Sequence, residues 1–242
     1  MPDRIFAEPR LAAIYDAIDG ERGDLEPYEA ILDEIGARSV LDIGCGTGEL
    51  ACRLALRGIT TIGVDPAEAS LEVARRKPGA DLVTWLLGDV SALPPLAADA
   101  VVMTGNVAQV FVSDEDWSAV LSASRVALPS GGRLVFESRD PSSRAWEEWT
   151  RERSFSVTNT VAGLVEHWVE LTDVALPLVS FRHGFRFLDD GELLTSDSTL
   201  RFRDRDELIA VLGEHGFEIE DVRDAPDRPS REFVFICRST QP

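Results

Sequence analysis

The run Asp-Ile-Gly-Cys-Gly-Thr-Gly at residues 42–48 places three alternating glycines, Gly44, Gly46 and Gly48, behind one carboxylate, Asp42. A glycine-rich turn between a strand and a helix is typical of a nucleotide-type site. The glycines let the backbone approach a ligand closely, and the helix N-terminus offers free N–H groups. A carboxylate beside such a turn suits a cationic ligand group, such as an amine or a sulfonium, better than a phosphate.

A dinucleotide is the first alternative for this turn. The dinucleotide fingerprint is G-x-G-x-x-G, and a frame that starts at Gly44 puts Glu49 in the sixth position. A carboxylate is unfavourable there because it would face a pyrophosphate. The pattern in this chain is D-x-G-x-G-x-G, which disfavours a nicotinamide cofactor and leaves S-adenosylmethionine as the rival ligand.

The surrounding sequence alternates apolar runs with amphipathic segments. The apolar runs, which are read as strands, cover residues 39–43, 60–64, 82–87, 99–104 and 133–137. Strands that are apolar throughout and alternate with helices indicate a parallel sheet covered on both faces. The sequence therefore predicts an α/β fold.

The alternation stops after Pro141, and residues 155–202 show strand-like alternation about a turn at 189–191. A helix at 204–215 and two more apolar runs then return to the first pattern. We predict an N-terminal helical cap at 1–36, a core at 37–140 and 204–242, and an antiparallel β insertion at 141–203.

The stretch VLDIGCGTGEL resembles the first motif of the class I S-adenosylmethionine-dependent methyltransferases. Further segments at 61–65, 87–90, 99–106 and 128–134 resemble the later motifs of that family, in the family's order. Four further motifs in the family's order are more specific than the glycine turn alone. The resemblance implies a Rossmann-like seven-stranded sheet with helices on both faces, S-adenosylmethionine as cofactor and S-adenosylhomocysteine as product.

The resemblance also implies residue roles. Asp65, at the end of the second strand, would accept both ribose hydroxyls, a contact that needs a fixed acceptor. Asp89 would bind the adenine amino group, the backbone N–H of Val90 would meet the ring, and Tyr15 would reach the cofactor carboxylate. The full implied cofactor set is Tyr15, Asp42, Gly44, Cys45, Gly46, Thr47, Gly48, Asp65, Pro66, Gly88, Asp89, Val90, Met103, Gly105 and Asn106.

Methyl transfer is an in-line displacement, so the main task of such a protein is to align a nucleophile and exclude water. An alcohol needs a general base, whereas a neutral amine or a partly ionised phenol does not. His167 is the candidate base, although a lone histidine on an apolar face more often belongs to the core. Gln109 and Arg139 are candidate substrate-binding residues, and Arg139 could instead pair with neighbouring acids.

Composition limits the possible partners. A net charge of −19 repels phosphate backbones, which argues against nucleic acid. No apolar run approaches the length of a membrane helix, and three cysteines without a CxxC pair indicate a reduced, cytoplasmic protein. No cluster of histidines and cysteines has metal-ligand spacing, so we expect no metal.

The predicted function is therefore methyl transfer from S-adenosylmethionine to nitrogen or oxygen of a small metabolite, by a monomer or a homodimer. The insertion resembles those of sugar N-methyltransferases and glycine N-methyltransferase-like enzymes, some of which serve as a substrate lid and some as a dimer contact. The alternatives are a protein that binds S-adenosylmethionine without transferring its methyl group, an aminopropyltransferase, and a NAD-dependent enzyme on a similar scaffold.

Overall fold

The computed structural model describes residues 1–240, so the last two positions of the predicted core segment 204–242 lie outside it. Within these residues no helix is long and apolar enough to cross a membrane. The helices are α1 (Arg4–Ala7), α2 (Pro9–Asp19), α3 (Glu26–Glu34), α4 (Glu49–Leu56), α5 (Glu68–Ala74), α6 (Asp114–Ala127), α7 (Arg151–Ser154) and α8 (Arg205–Glu214).

The strands form two sheets. They are β1 (Ser39–Ile43), β2 (Thr60–Asp65), β3 (Val83–Leu87), β4 (Ala100–Met103), β5 (Arg133–Arg139), β6 (Ser156–Thr160), β7 (Gly163–Ala175), β8 (Leu178–Phe187), β9 (Leu193–Arg201), β10 (Phe217–Asp224) and β11 (Glu232–Ser239). Sheet A has the order β10-β11-β5-β4-β1-β2-β3, and sheet B has the order β6-β7-β8-β9.

Sheet A is parallel from β3 to β5, and β11 inserts antiparallel between β5 and β10. Successive side chains along its strands point to opposite faces of the sheet, and both faces are buried. Leu41 and Val101 pack under α6 and α8, whereas Val40 and Val102 pack under α3 and α4. Burial on both faces explains why these strands are apolar throughout. The predicted fold class, an α/β sheet of seven strands with a small antiparallel insertion, is confirmed.

Sheet B is antiparallel, and one of its faces packs on the N-terminal helices. Val165, Phe185 and Phe187 on that face contact Leu11 and Ile14 of α2. The tight turn predicted at 189–191 joins β8 to β9. The insertion and the N-terminal cap therefore share one apolar cluster.

Element bounds differ from the sequence prediction mainly at strand ends. The fourth strand is limited to Ala100–Met103, and the fifth extends two residues further, to Arg139. The extension follows from pairing, because Arg139 lies opposite Glu232 of β11. After β5, Ala145–Glu148 forms a 3-10 turn that precedes α7.

Candidate active site

The carboxyl ends of the parallel strands open onto a cavity of about 390 Å³. It lies where the sheet order reverses, because β1 has β2 on one side and β4 on the other. Such a reversal leaves a crevice outside the strand ends. The residues that the sequence assigns to the cofactor line this cavity, except for Gly48, Met103 and Asn106.

The three glycines of the turn have positive φ but different neighbours. A Cβ at Gly44 would lie 2.7 Å from the methyl groups of Val107, and one at Gly48 would lie 2.4 Å from the ring of Trp85. A Cβ at Gly46 would meet no described atom within 4 Å, and Gly46 lines the cavity. Protein packing therefore requires two of the glycines, and only the middle one is open on the cavity side.

This difference predicts unequal effects of two matched substitutions on stability. Both Gly46 and Gly48 have positive φ, so alanine is strained at either position by about 1 kcal/mol. Gly48→Ala must also displace Trp85 and Ala74, whose atoms would lie 2.4 and 2.8 Å from the new Cβ, so its total cost in the free energy of unfolding should be about 3 kcal/mol. Urea unfolding measures both values. In a Trp85→Leu background the cost at Gly48 should fall part of the way towards that at Gly46, because the contact with Ala74 remains. An unchanged difference would rule out the Trp85 contact as a cause.

Asp42 is the most unusual acid of the cavity wall. It is 2% exposed, and its Oδ1 has no hydrogen-bond partner among the described residues. Burial, reinforced by the nearby Asp65 carboxylate, raises the pKa of Asp42 to about 7. An unpaired buried carboxyl group is costly, so a cationic group in the cavity would satisfy it.

Asp65 stabilises the turn itself. Its Oδ2 accepts from the backbone N–H of Gly46 and its Oδ1 from that of Ala67, both at 2.8 Å. Burial nevertheless raises its pKa. A carboxylate has about four acceptor positions, so each oxygen can take one further donor, such as a ribose hydroxyl.

Asp89 caps a short turn. Its Oδ1 accepts from the backbone N–H and the hydroxyl of Ser91, and these bonds lower its pKa. Gly88 precedes it with φ +142° and donates its N–H to the carbonyl of Asp65 at 3.0 Å. Asp89 therefore caps this turn and lines the cavity at the same time.

The cap contributes Tyr15 and Arg22 to the cavity. Burial and the nearby Asp19 raise the pKa of Tyr15, so its phenol stays neutral and can donate a hydrogen bond. Arg22 forms a bidentate pair with Asp24, with Nε–Oδ1 2.9 Å and Nη2–Oδ2 2.8 Å. No sequence motif marked Arg22, because only the packing of the polar turn after α2 brings it to the cavity.

Three predicted cofactor residues lie elsewhere. Gly48 contacts Trp85, and Met103 is fully buried in the core. Asn106 has φ +62°, donates its backbone N–H to Glu137 Oε1 at 2.7 Å, and donates its side-chain amide to Glu232 Oε1 at 3.3 Å. Asn106 thus holds the turn after β4 in place. Cys45, in contrast, lines the cavity, and burial raises the pKa of its thiol, so it is not a thiolate at neutral pH.

The two predicted substrate-binding residues contact each other outside the cavity lining. Arg139 Nη1 donates to Gln109 Oε1 at 3.1 Å. Arg139 ion-pairs with Glu232 at 3.4 Å and lies 5.5 Å from the ring centre of Trp149. The acid that neutralises Arg139 is therefore a cross-strand neighbour rather than an acid close to it in sequence.

Glu137 and Glu232 form a buried acidic pair that the sequence did not reveal. Burial and the Glu232 carboxylate raise the pKa of Glu137 to about 7. Glu232 instead contacts two arginines, because Arg228 Nη1 lies 2.7 Å and Arg139 Nε 3.4 Å from its Oε1. These groups lie beside the cavity, at the ends of β5 and β11.

His167, the candidate base, pairs with another histidine. Its Nε2 lies 3.1 Å from Nδ1 of His183, and its ring stacks on Phe185. Burial lowers the pKa of both histidines to about 4. His167 does not line the cavity. Its neutral ring pairs with His183 instead.

Comparison with known proteins agrees with this geometry. Residues 40–132 match the family model described as a methyltransferase domain. Residues 40–132 of the chain are a methyltransferase domain. The match covers the glycine turn, Asp65, Asp89 and strand β4, and it ends just before β5.

Curated relatives of this methyltransferase domain match it over part of their length. An uncharacterised methyltransferase of Geobacillus sp. strain WCH70 is 34% identical over 138 residues, which are 53% of this chain and 63% of the relative. The ubiquinone biosynthesis O-methyltransferase of Idiomarina loihiensis is 30% identical over 60% of this chain and 63% of its own length. The chain thus spans less than two thirds of these relatives.

Solved structures match the methyltransferase fold over nearly the whole chain. The CcbJ methyltransferase of Streptomyces caelestis superposes with a TM-score of 0.75 at 22% identity, covering 95% of this chain and 97% of that one. The sugar N-methyltransferase KedS8 of Streptoalloteichus superposes with a TM-score of 0.77 at 20% identity, covering 91% of this chain and 88% of that one. At these identities the likeness shows the fold.

S-adenosylmethionine, the cofactor that the sequence motifs imply, would supply a methyl group activated by a positively charged sulfonium. The cavity residues fit it on two observations. A cationic group would pair with the Oδ1 of Asp42, which has no partner among the described residues. No described atom lies within 4 Å of a Cβ built on Gly46, so a ligand has room against the backbone there. The remaining acceptor positions of Asp65 suit hydroxyl donors.

Proposed function

We propose that this protein transfers the methyl group of S-adenosylmethionine to a nitrogen or oxygen atom of a small metabolite. The observation that carries the proposal is the buried, unpaired carboxyl of Asp42 in a cavity wall that also holds Asp65 and the open face of Gly46. That combination favours a ligand with a cationic end and a hydroxyl-bearing middle.

Each wall residue has a distinct part in this proposal. Asp65 would hold the ribose hydroxyls, and Asp89 would accept from the adenine amino group through Oδ2. Asp42 would face the cationic end of the cofactor, while Tyr15 and Arg22 would donate to its carboxylate. The backbone bonds that already fix Asp65 and Asp89 support these roles, because fixed acceptors lose little entropy on binding.

The acceptor would occupy the apolar part of the cavity. Phe6, Val110 and Phe111 line that part, and no histidine is among the lining residues that the structure describes. The chain would then orient the acceptor and exclude water rather than remove a proton. This favours an amine or an ionised phenol, and the part we proposed for His167 as a base loses its geometric support.

The similar proteins differ in the atom that they methylate. KedS8 is described as a sugar N-methyltransferase and CalS10 of Micromonospora echinaspora as an amino pentose methyltransferase, both at 22% identity or less. The Idiomarina relative is described as an O-methyltransferase. We therefore keep both nitrogen and oxygen, and test amino sugars first.

We also propose that the protein is divided into a cap at 1–36, a core at 37–140 and 204–242, and an insertion at 141–203 that covers the acceptor. The shared apolar cluster of α2 and sheet B supports a covering role. The protein would act in the cytoplasm as a monomer or a homodimer, with the insertion as the dimer contact in the second case.

Calorimetric titration with S-adenosylhomocysteine tests the proposed cofactor site. Asp65→Ala removes about two charge-assisted hydrogen bonds to the ligand and should weaken affinity by more than tenfold. Asp99→Ala is the matched control, because Asp99 also accepts from two backbone N–H groups, those of Arg38 and Ser39, but does so away from the cavity.

The outcome separates the candidate functions. Wild-type binding that is lost in Asp65→Ala and kept in Asp99→Ala supports the site, and formation of S-adenosylhomocysteine from S-adenosylmethionine with an amine, phenol or sugar then establishes transfer. Binding without turnover on any acceptor would favour a non-transferring binding protein. Binding of NADH in place of S-adenosylhomocysteine would overturn the proposal.

A further inference from the structure

The only lysine of the chain, Lys77, links three segments around the cavity. Its Nζ lies 2.7 Å from Asp16 Oδ2 and 3.0 Å from Glu49 Oε2. Thr47 completes the group, because its hydroxyl donates to Asp16 Oδ1 at 2.6 Å and lies 3.4 Å from Nζ. Lys77 follows α5, Asp16 belongs to α2, and Thr47 and Glu49 belong to the glycine turn and the start of α4.

Asp16 is the polar link between α2 and the core. Among the described residues, Asp16 makes every side-chain hydrogen bond and ion pair between α2 and the core. Its partners are Thr47 and Lys77. The other long-range ion pairs of α2 run from Arg10 to Asp190 and Glu192 in the insertion. The helix is therefore held to the insertion on one side and to the cofactor cavity on the other.

The Lys77 cluster is adjacent to the cavity without including Lys77 in its lining. Tyr15 is next to Asp16 in the chain and lines the cavity, as do Thr47 and Glu49. Lys77 is only 15% exposed, so its charge is less screened than that of a surface lysine. Removing it would leave Glu49 paired only with Arg53, Nε–Oε1 3.3 Å, and Asp16 with only the Thr47 hydroxyl, and no cation would lie between the two carboxylates.

We infer that Lys77 is a positioning residue that holds α2 closed over the bound cofactor. With the ammonium in place, two carboxylates from different segments converge on one charge and draw α2 against the glycine turn. Without it, their repulsion separates the two segments and with them Tyr15 and Thr47. This role rests on the proposed function, since the wall that Lys77 holds is that of the cofactor cavity.

Hydrogen exchange of α2 tests the inference without reference to activity. In Lys77→Met, the amides of residues 10–19 should exchange about tenfold faster, while those of β7 and β8 remain unchanged. Affinity for S-adenosylhomocysteine should fall about tenfold, mainly through faster dissociation. Lys77→Arg keeps the charge and should restore both values to within about threefold.

Arg10→Met is the control, because it removes the ion pairs of the same helix with the insertion and leaves those of Asp16. It should leave affinity within about twofold. Wild-type protein offers a second measurement: an amine-reactive ester can acylate one side chain, Lys77, besides the N-terminus, and bound S-adenosylhomocysteine should slow that reaction.

Unchanged exchange of residues 10–19 in Lys77→Met would overturn the inference, as would loss of affinity in Lys77→Met that Lys77→Arg does not restore. Failure of the wild type to bind S-adenosylhomocysteine is a separate result, because it would remove the proposed function, and the exchange of α2 would still report whether Lys77 holds the helix.

Discussion

Affinity for S-adenosylhomocysteine is expected to fall about tenfold when the pH is lowered from 8 to 6. The reason is the Asp42 carboxyl, whose pKa in the free protein is raised to about 7. Only the carboxylate attracts a cationic amino group, and the ionised fraction of Asp42 falls from about nine tenths at pH 8 to about one tenth at pH 6. Above pH 8 the affinity should be nearly independent of pH.

The same titration predicts proton release on binding. At pH 7 about half of the Asp42 carboxyl groups carry a proton that a cationic ligand would displace. Calorimetry in two buffers of different ionisation enthalpy measures that proton. His167 and His183 do not contribute, because burial lowers the pKa of both to about 4.

Asp42→Asn should flatten the pH dependence and lower the affinity at pH 8 to about its pH 6 value. Glu137→Gln is the control, because the pKa of Glu137 also lies at about 7 but this residue is outside the cavity lining. A full pH dependence in Asp42→Asn, or its loss in Glu137→Gln, would assign the titration to another group and contradict the role of Asp42.

Glu137→Gln is expected to stabilise the protein at pH 8 by on the order of 2 kcal/mol. The folded protein raises the pKa of Glu137 from 4.5 to about 7. The raised pKa means that the folded state prefers the protonated acid, so this contribution to stability is complete below pH 4.5 and is lost as the pH rises to 7. Glutamine stays neutral and can still accept from the N–H of Asn106.

Urea unfolding at pH 5 and pH 8 measures this effect. At pH 5 the gain from Glu137→Gln should shrink to less than about 1 kcal/mol. Glu232→Gln should have the opposite sign at pH 8, because Glu232 balances the charges of Arg139 and Arg228. A gain for Glu137→Gln that is equal at both pH values would mean that ionisation of Glu137 is not its cause.

Local features of the site were predictable from the sequence. The first strand has the predicted bounds, and the glycine turn follows it, because apolar runs and glycines act over a few residues. The reason for two of the glycines was not predictable. Gly48 is required by Trp85, which is 37 positions further along the chain, and Gly44 by Val107. Those contacts exist only after the sheet has formed.

The parts that escaped prediction depend on pairing between distant strands. Glu137 and Glu232 become an acidic pair because β11 inserts beside β5. His167 meets His183 because β7 and β8 pair in one register, so two histidines judged one at a time are in fact neighbours. Sequence reasoning could assign each residue to a strand but could not supply the register.

The position of β11 has a consequence for the order of folding. It pairs with β5 along the whole length of β5, with Glu232 opposite Arg139 at one end and Arg238 opposite Arg133 at the other. About a hundred residues, which include the whole of sheet B, separate the two strands in the chain. Contacts of such long sequence separation form slowly. Until β11 is synthesised and docks, β5 is an open edge whose central side chains, from Leu134 to Phe136, are apolar. A nascent chain interrupted before residue 232 would therefore aggregate through β5, whereas sheet B, built from consecutive hairpins, could already have formed.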